Sequence, residues 1–341
     1  MAEYAHGGPA GRARIRVRPE DFAVVEDIGY RPSGHGEHLW LDVEKRGLNT
    51  MDVAARLAEY AGVPVRAVGF AGLKDRNAVT RQPFTIQLPG RADPDWRNWS
   101  DERLRVLSAD RHDRKIRRGR LAGNRFELVL RDVEGDPDAI GQRLACIAER
   151  GVPNGFGEQR FGGNNVARAY ALFRGELRRS PSKRKRGFYL SAARSLIFNR
   201  VLERRIADAT WDRVIDGDVV ALDGSRSRFS ADAGDPAIQR RAAELDIHPT
   251  GPLAGAGDSG VTGEAARIEQ SVLDDHAELV EGLARFRLET DRRALRMRVL
   301  DLDWRFEDSD TLALSFSLRA GCYATTVLRE VFDYVDASRA A

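Results

Sequence analysis

The chain has 341 residues, which is long enough for two domains that each bury a core of their own. Its 42% hydrophobic and 31% charged residues are typical of a soluble globular protein, and no apolar run approaches the roughly 20 residues that would span a bilayer. The formal net charge of +3 excludes no partner by itself, so its distribution along the chain matters more than its sum.

The first 90 residues predict short strands around one helix. Apolar stretches between turn signals place strands at 14–17, 22–25, 38–43, 68–70 and 83–88. A helix is predicted to begin at Asn49 and Thr50, because Val53, Leu57 and Ala61 fall on one face at helical spacing. The last two of these strands flank a short polar loop.

The middle of the chain has a different character. Strands at 104–107 and 126–130 flank a basic connection that contains glycine, and a helix follows at 136–150. Residues 151–165 contain five glycines and three asparagines, which favours a domain boundary or a binding loop. From 166 to about 297 we predict mostly helix, most clearly at 191–207.

Loop, strand and helix signals follow one another toward the end of the chain. Glycine and proline cluster at 251–263, where we predict a long loop. Strict apolar alternation predicts a strand at 311–319, and a closing helix is predicted at 325–334. The residues alone therefore indicate an α/β chain whose middle differs from its two ends.

Positive charge is concentrated in two tracts. Residues 103–125 carry nine arginines and lysines against two acidic residues, and residues 174–205 carry eleven against two. The rest of the chain is therefore net negative. Such concentration is expected for a protein that binds a polyanion such as nucleic acid, although a solvated arginine-rich face would give the same pattern.

Residues 71–82 concentrate polar side chains between two predicted strands; they read Ala-Gly-Leu-Lys-Asp-Arg-Asn-Ala-Val-Thr-Arg-Gln. Polar residues on such a loop serve chemistry more often than packing. Asp75 lies between Lys74 and Arg76, whose charges favour its ionised form. These two cations would pair with Asp75, contact phosphate or serve solubility, and Arg16 is a weaker candidate for a cation that reaches the site. An isolated aspartate here would more often cap a turn.

This stretch resembles a signature of the TruD family of tRNA pseudouridine synthases, in which the aspartate of the Lys-Asp pair is catalytic. Five further stretches resemble motifs of the same family and follow in the family's order: 19–22, 123–126, 153–162, 190–195 and 320–325. Together the six cover the chain from about residue 19 to about residue 330. One short motif would be weak support, whereas six in order are specific.

The resemblance implies a fold and a set of roles. The fold is α/β (α+β), with a pseudouridine-synthase core of mixed, largely antiparallel sheet from residues 1–150 and 298–341, and an α/β insertion domain at 151–297. The implied reaction converts uridine 13 of tRNA to pseudouridine without cofactor or metal. Asp75 would be the catalytic carboxylate, and Phe22, Asn124 and Tyr323 would bind the target nucleotide.

The chemistry of these residue types suits that reaction. Breaking the N1–C1′ bond and joining C5 to C1′ needs no redox step, and one ionised carboxylate can act as nucleophile or as base. The residues leave both routes open. Phe22 and Tyr323 offer stacking faces to an extruded base, and Asn124 offers a donor and an acceptor to a uracil edge. Without the resemblance, Phe22 would be assigned to the core and Asn124 to a turn.

Two positions depart from the family pattern. Tyr323 stands where phenylalanine is expected, and its added hydroxyl must be hydrogen-bonded if it is buried. Gly155 stands where an aromatic residue is usual, so the loop at 153–162 lacks one ring. Within that loop, Gln159 and Arg160 are candidates for RNA binding or for capping the loop.

Two other functions stay open at this stage. One is a non-catalytic RNA-binding or RNA-chaperone protein on the same scaffold, against which the intact Asp75 argues. The other is a nucleoside or glycoside hydrolase, which would need a second carboxylate such as Glu158. A metal site at His35 and His38 is disfavoured, because these histidines lie in a glycine-rich turn.

The sequence also gives expectations about location and assembly. The N-terminal residues lack the apolar segment of a secretory signal, and Cys146 and Cys322 lie far apart without a CxxC pattern. We therefore expect a reduced, cytoplasmic protein that binds tRNA and no membrane. Nothing in the sequence requires more than a monomer.

Overall fold

The computed structural model describes residues 4–96, 99, 101–157 and 160–339. The strands are β1 Gly11–Ile15, β2 Phe22–Asp27, β3 His38–Arg46, β4 Val68–Phe70, β5 Val79–Gln87, β6 Leu104–His112, β7 Gly123–Gly135, β8 Val152–Pro153, β9 Val219–Leu222, β10 Arg228–Ser230, β11 Ile247–Leu253, β12 Asp291–Ala294, β13 Arg296–Met297, β14 Leu300–Phe306, β15 Leu312–Arg319 and β16 Phe332–Asp336. The helices are α1 Thr50–Tyr60, α2 Pro137–Arg150, α3 Asn165–Phe173, α4 Lys183–Ala207, α5 Pro236–Ala243, α6 Gly263–Asp275, α7 Ala277–Arg285 and α8 Ala324–Val331.

The chain divides into two compact units. The sheet unit comprises Ala10–Gly141, Leu300–Gly321 and Phe332–Ala341, and the mixed unit comprises Met1–Pro9, Gln142–Val299 and Cys322–Val331. In the part of the chain that the structure describes, none of the helices combines the length and the apolar character needed to cross a membrane.

One mixed sheet of ten strands forms the sheet unit. Its main path runs β14-β15-β7-β2-β5-β3-β6, with β1 paired to β7 and β16, and β4 paired to β5. The pairs β1–β16 and β2–β5 are parallel. The other pairs are antiparallel. The predicted mixed, largely antiparallel sheet is therefore confirmed.

The core of the sheet unit lies between this sheet and α1. The alternation in β3 buries Leu39, Leu41 and Val43, and the helical spacing in α1 buries Val53 and Leu57 against the same cluster. Both β4 and β5 contribute buried residues to this cluster. This packing fixes the two strands that flank the 71–78 loop, so the loop leaves the core from rigid supports.

Helices surround two small sheets in the mixed unit. One sheet has the order β10-β9-β11-β12, and the other pairs β13 with β8. The helices α3, α4 and α7 bury a shared apolar cluster that includes Phe173, Ile197, Val201, Leu279 and Leu283. The prediction of α4 is confirmed at its C-terminal end, Ala207, but the helix begins earlier, at Lys183, where the Ser182 hydroxyl accepts a hydrogen bond from the Lys185 amide.

The prediction that 166–297 is mostly helical is wrong in part, because β9 to β12 also lie there. The strand β11 runs into the predicted loop at 251–263. Its sequence contains Pro249, Gly251 and Pro252, which usually indicate turns. Here the chain is buried, and a Cβ at Gly251 would press against Leu295 and Phe198. Glycine is present for close packing and not for a turn.

Both ends of the sheet unit also differ from the predicted elements. The helix predicted at 325–334 ends at Val331, and Phe332 begins β16, which pairs in parallel with β1. The strand predicted at 14–17 instead ends at Ile15, because Arg16 has a φ of 55° and leaves the extended region. The strands β5, β6 and β7 are longer than predicted.

Candidate active site

Asp75 lies on the loop between β4 and β5 with its carboxylate partly exposed. Its side chain is 40% exposed, and Oδ1 accepts a hydrogen bond from the Asn77 amide at 3.2 Å. Two hydrogen bonds hold the backbone of this loop. Lys45 Nζ donates to the Asp75 carbonyl at 2.7 Å, and the Lys74 amide donates to Thr50 Oγ1 at 2.9 Å. Side chains of β3 and α1 therefore fix the loop while the carboxylate faces solvent.

The cation beside Asp75 is Arg16. One guanidinium nitrogen lies 3.2 Å from Asp75 Oδ2, and the other donates to Asp336 Oδ2 at 2.7 Å. The guanidinium carbon lies 3.9 Å from the centroid of the Phe22 ring. Only 8% of the Arg16 side chain is exposed. The Asp336 carboxylate, the Phe22 ring and the Asp75 carboxylate together hold its guanidinium in one place.

Lys74 does not pair with Asp75. Its ammonium lies 2.6 Å from Glu26 Oε2, whose side chain is fully buried, and donates to Asn124 Oδ1 at 2.5 Å. Burial lowers the pKa of Lys74, and the neighbouring Glu26 opposes that shift. The alternative in which Lys74 neutralises Asp75 is therefore wrong. Arg76 is exposed and has no ion pair with a carboxylate among the described residues.

Buried Lys45 is a further cation of the site, and it was not among the residues expected there from the sequence. It lies on β3, and the only hydrogen bond that its ammonium makes within the described chain is the one to the Asp75 carbonyl. Burial lowers its pKa to about 8, although the nearby Asp75 charge acts in the opposite direction. An ammonium in this position binds the backbone carbonyl of Asp75 and not its carboxylate.

Phe22 is buried, and its role in nucleotide binding stays a prediction. The ring packs edge-to-face against Phe126 with centroids 6.3 Å apart, and Arg16 lies over its face. In this arrangement Phe22 supports the cation that contacts Asp75. Phe22, Asn124 and Asp75 are thus brought together in the sheet unit through Arg16 and Lys74.

Tyr323 lies in the mixed unit, at the start of α8. The residue is 43% exposed, so the expectation that a buried hydroxyl would need a hydrogen-bond partner does not apply to it. Its carbonyl accepts the Thr326 amide in the first turn of the helix. The proposed contact of Tyr323 with the nucleotide stays a prediction.

Phe156, in the loop at 153–162, is held through both its backbone and its ring. Asn199 exchanges two hydrogen bonds of 2.9 Å with the Phe156 backbone. The guanidinium carbons of Arg293 and Arg160 lie 4.4 Å and 5.1 Å from the Phe156 ring centroid. Arg160 also donates to Ser195 Oγ at 3.3 Å, which matches the loop-capping alternative.

The sequence also singled out Gly155, Glu158 and Gln159 in this loop. A Cβ at Gly155 would make only ordinary contacts, at 3.5 Å from Leu202 and 3.6 Å from Asn199, so the glycine is not required by the backbone. Glu158 and Gln159 lie outside the described residues.

A basic connection between β6 and β7 borders the Asp75 loop. The Gly119 amide donates to the Ala71 carbonyl at 3.0 Å, and the Arg118 guanidinium carbon lies 4.9 Å from the Phe70 ring centroid. Three exposed arginines of this connection have no carboxylate partner in the described part of the chain: Arg117, Arg118 and Arg120. They form a cationic border next to the strand that leads to Asp75.

The second basic tract divides into two halves with different surroundings. In the C-terminal half, Arg205 forms a buried pair with Asp218 at 2.9 Å, and Arg194 donates to two backbone carbonyls. Arg200 pairs with Glu203 of the same helix, and Arg204 pairs with Asp208, which directly follows that helix. In the N-terminal half, Arg174 pairs with Glu278 at 2.6 Å. The other cations of this half are exposed and have no carboxylate partner among the described residues: Arg178, Arg179, Lys183, Arg184, Lys185 and Arg186. The guanidinium of Arg184 lies near the exposed ring of Phe188.

Within the described residues, no group of three or more His, Cys, Asp or Glu side chains is arranged to hold a metal ion. His35 contacts the Ser33 carbonyl, and His38 lies 3.7 Å from Glu37. The described contacts at the site join a carboxylate to its arginine and an amide to a lysine.

The chain is similar to known proteins over nearly its whole length. The family model described as tRNA pseudouridine synthase D (TruD) matches residues 1–180 and 173–331. The chain is 50% identical over 332 residues to tRNA pseudouridine synthase D of Methylococcus capsulatus, which covers 97% of this chain and 94% of that protein. It is 47% identical over 351 residues to the protein of the same name from Xanthomonas axonopodis pv. citri, with coverage of 98% and 95%.

A solved structure has the same fold. The crystal structure of the putative tRNA pseudouridine synthase D from Methanosarcina mazei matches with a TM-score of 0.78 at 22% sequence identity. The match covers 98% of this chain and 97% of that chain. The predicted fold class is confirmed by this likeness and by the mixed sheet described above.

Proposed function

Because the chain belongs to the tRNA pseudouridine synthase D (TruD) family, we propose that it isomerises a specific uridine of tRNA to pseudouridine, with Asp75 as the catalytic carboxylate. The observation that carries the proposal is an ion pair. The partly exposed Asp75, in the loop that resembles the family signature, pairs with the buried Arg16. By the resemblance in its motifs, the target is uridine 13.

The reaction is an isomerisation in which atoms and charge balance. The N1–C1′ bond breaks, the uracil turns and C5 bonds to C1′; C5 loses one proton and N1 gains one. Asp75 either attacks C1′ or removes a proton, and both roles require an ionised carboxylate. The Arg16 guanidinium lies 3.2 Å from Asp75 Oδ2 and fixes the direction of that carboxylate. No step calls for a cofactor or a metal.

The substrate is a folded tRNA, which the exposed cations would bind through its phosphates. We assign this role to Arg117, Arg118 and Arg120 beside the Asp75 loop, and to the N-terminal half of the 174–205 tract. Phosphate contacts supply affinity and little sequence discrimination. The target base must leave its stack to reach Asp75. We further propose that the protein acts in the cytoplasm as a monomer.

The domain roles follow from the same proposal. The catalytic core, placed at 1–150 and 298–341, corresponds in most of its length to the sheet unit that holds Asp75. The insertion domain, placed at 151–297, lies in the mixed unit. The mixed unit also includes residues 322–331, and therefore Tyr323.

The decisive experiment measures tritium release from unmodified tRNA that carries uridine labelled at C5. Wild type would be compared with Asp75→Asn and with Asp113→Asn, a surface aspartate paired with Arg114. Release by wild type and Asp113→Asn, with none from Asp75→Asn despite retained tRNA binding, supports the proposal. Binding without release by wild type would instead indicate an RNA-binding protein. Release that survives in Asp75→Asn would contradict the role of Asp75, and release from tRNA lacking uridine 13 would contradict the target position.

A further inference from the structure

Lys74 links a buried carboxylate to the amide of Asn124. Glu26 and Asn124 are register partners on β2 and β7, and the Lys74 ammonium lies 2.6 Å from Glu26 Oε2 and 2.5 Å from Asn124 Oδ1. An ammonium group has donors only, so the amide atom beside it must be the oxygen. The orientation of the Asn124 amide is therefore fixed by chemistry, and its Nδ2 group remains as a pure donor.

The surroundings keep this arrangement in place. Glu26 has a fully buried side chain, so its charge needs the Lys74 ammonium beside it. A Cβ at position 72 would overlap the Glu26 carboxylate, and the glycine present there leaves room for the pair. Asn124 is only partly buried, and among the described residues its Nδ2 has no hydrogen-bond partner. We therefore take its donors as available to a ligand.

Building on the proposed function, we propose that Glu26 and Lys74 are positioning residues that preset Asn124 as a hydrogen-bond donor to the carbonyls of the target uracil. Uracil carries an acceptor on each side of N3, namely O2 and O4. Turning the ring about its N3–C6 axis exchanges N1 with C5, and it also exchanges O2 with O4. A pure donor therefore meets a carbonyl oxygen both before and after the turn.

The same geometry discriminates against cytosine. Cytosine carries an amino group in place of O4, so a pure donor would face another donor in one of the two ring orientations. An amide that could flip would adapt by presenting its oxygen. The Lys74 ammonium prevents that flip, because turning the amide would place two donors against each other. Glu26 and Lys74 thereby make Asn124 specific for a ring with two carbonyls.

The test replaces single oxygen atoms in the substrate. Three tRNAs would carry uridine, 2-thiouridine or 4-thiouridine at the target position, since sulfur is the weaker hydrogen-bond acceptor. Single-turnover rates would be followed by nucleoside chromatography for wild type, Asn124→Ala, Lys74→Arg and the double variant Glu26→Gln/Lys74→Met. The double variant removes both charges, because removal of Lys74 alone would leave Glu26 buried and unpaired. Thermal unfolding and tRNA binding identify variants that have not folded.

We expect at least one thio substitution to slow wild type about tenfold, the order expected for one weakened hydrogen bond. Lys74→Arg keeps this penalty because it keeps the cation. Asn124→Ala loses the penalty although it is slow on uridine, and the double variant reduces it to about threefold or less as the amide becomes free to flip. Equal thio penalties in wild type, Asn124→Ala and the double variant would overturn this inference alone. Failure of wild type to convert unsubstituted tRNA would overturn the proposed function, and this inference with it.

Discussion

Arg16 contacts Asp75 at 3.2 Å from a backbone conformation that few non-glycine residues adopt, with a φ of 55°. The turn ends β1 and directs the side chain between Asp336 and the Phe22 ring. Asp336 lies at the end of β16, which pairs with β1 in parallel. The first and last strands of the sheet unit thus hold the cation that the candidate catalytic carboxylate requires.

Replacement of Arg16 tests this relationship. Arg16→Met should lower kcat by roughly 100-fold, the order seen when one charged or hydrogen-bonding partner is removed from a reacting centre. The KM for tRNA should change little, because the buried guanidinium faces Asp75 and not the surface. Arg16→Lys should recover part of the rate, since it keeps the charge but loses the two-pronged geometry.

The control is Arg14→Met, which removes the surface pair between Arg14 on β1 and Asp132 on β7. Its kcat should stay within about twofold of wild type, because exposed pairs contribute little. Wild-type kcat in a folded Arg16→Met variant would show that Arg16 serves packing only.

A pH titration of stability tests the burial of Lys45. Its pKa is about 8 in the folded chain against an ordinary value of 10.5. Between these values the unfolded chain holds a proton that the folded chain has released, so the free energy of unfolding gains a contribution that rises with pH. Below about pH 8 both states are protonated and this contribution is flat.

Lys45→Met removes this contribution. Its unfolding free energy should therefore rise less steeply than that of wild type between pH 8 and 10.5, by up to about 1.4 kcal/mol per pH unit. Urea midpoints at closely spaced pH values would measure the difference. Lys183→Met, at an exposed position, serves as control. Parallel curves for wild type and Lys45→Met would contradict the burial of this ammonium.

Part of this site was predictable from strand alternation. In β3 the inward positions Leu39, Leu41 and Val43 continue to Lys45, and in β2 Phe22 and Val24 continue to Glu26. A charged residue at the next inward position of an amphipathic strand indicates a buried charge with a partner. The sequence contained this signal at both residues. The partner of Glu26 was not predictable, because Lys74 and Glu26 meet only after β2 has paired with β5 and β7.

Other features depend on tertiary contacts that no local pattern encodes. The motifs located Asp75 and its loop, but adjacency in sequence suggested Lys74 and Arg76 as cations and left Arg16 as a weaker candidate. The observed cation, Arg16, follows from the left-handed turn after β1 and from the pairing of β1 with β16. In the same way, β11 carries prolines and glycine and forms a strand because it is buried among its neighbours.

The two halves of the basic tract should differ in their contribution to tRNA binding. The triple variant Lys183→Gln/Arg184→Gln/Lys185→Gln removes exposed cations without carboxylate partners in the described chain. It should weaken binding and reduce the slope of log K against log salt by about two to three. Arg200→Gln/Arg204→Gln removes cations that are paired with Glu203 and Asp208, and should change neither. Filter binding at several salt concentrations measures both; equal slopes for the two variants would contradict the division.

Two glycines should respond to alanine with opposite signs. Gly72 has no left-handed backbone to preserve, but a Cβ there would overlap the Glu26 carboxylate and approach the Lys74 ammonium. Gly72→Ala should therefore destabilise the protein by about 1–3 kcal/mol, as overpacking does, and should also lower activity by displacing Lys74 from Asn124. Gly187 lies within α4 and a Cβ there meets open space. Gly187→Ala should stabilise the helix by about 0.5–1 kcal/mol. Urea midpoints for the two variants would measure both changes in stability. A Gly72→Ala variant with wild-type stability and full activity would show that the Glu26–Lys74 pair moves aside at no cost.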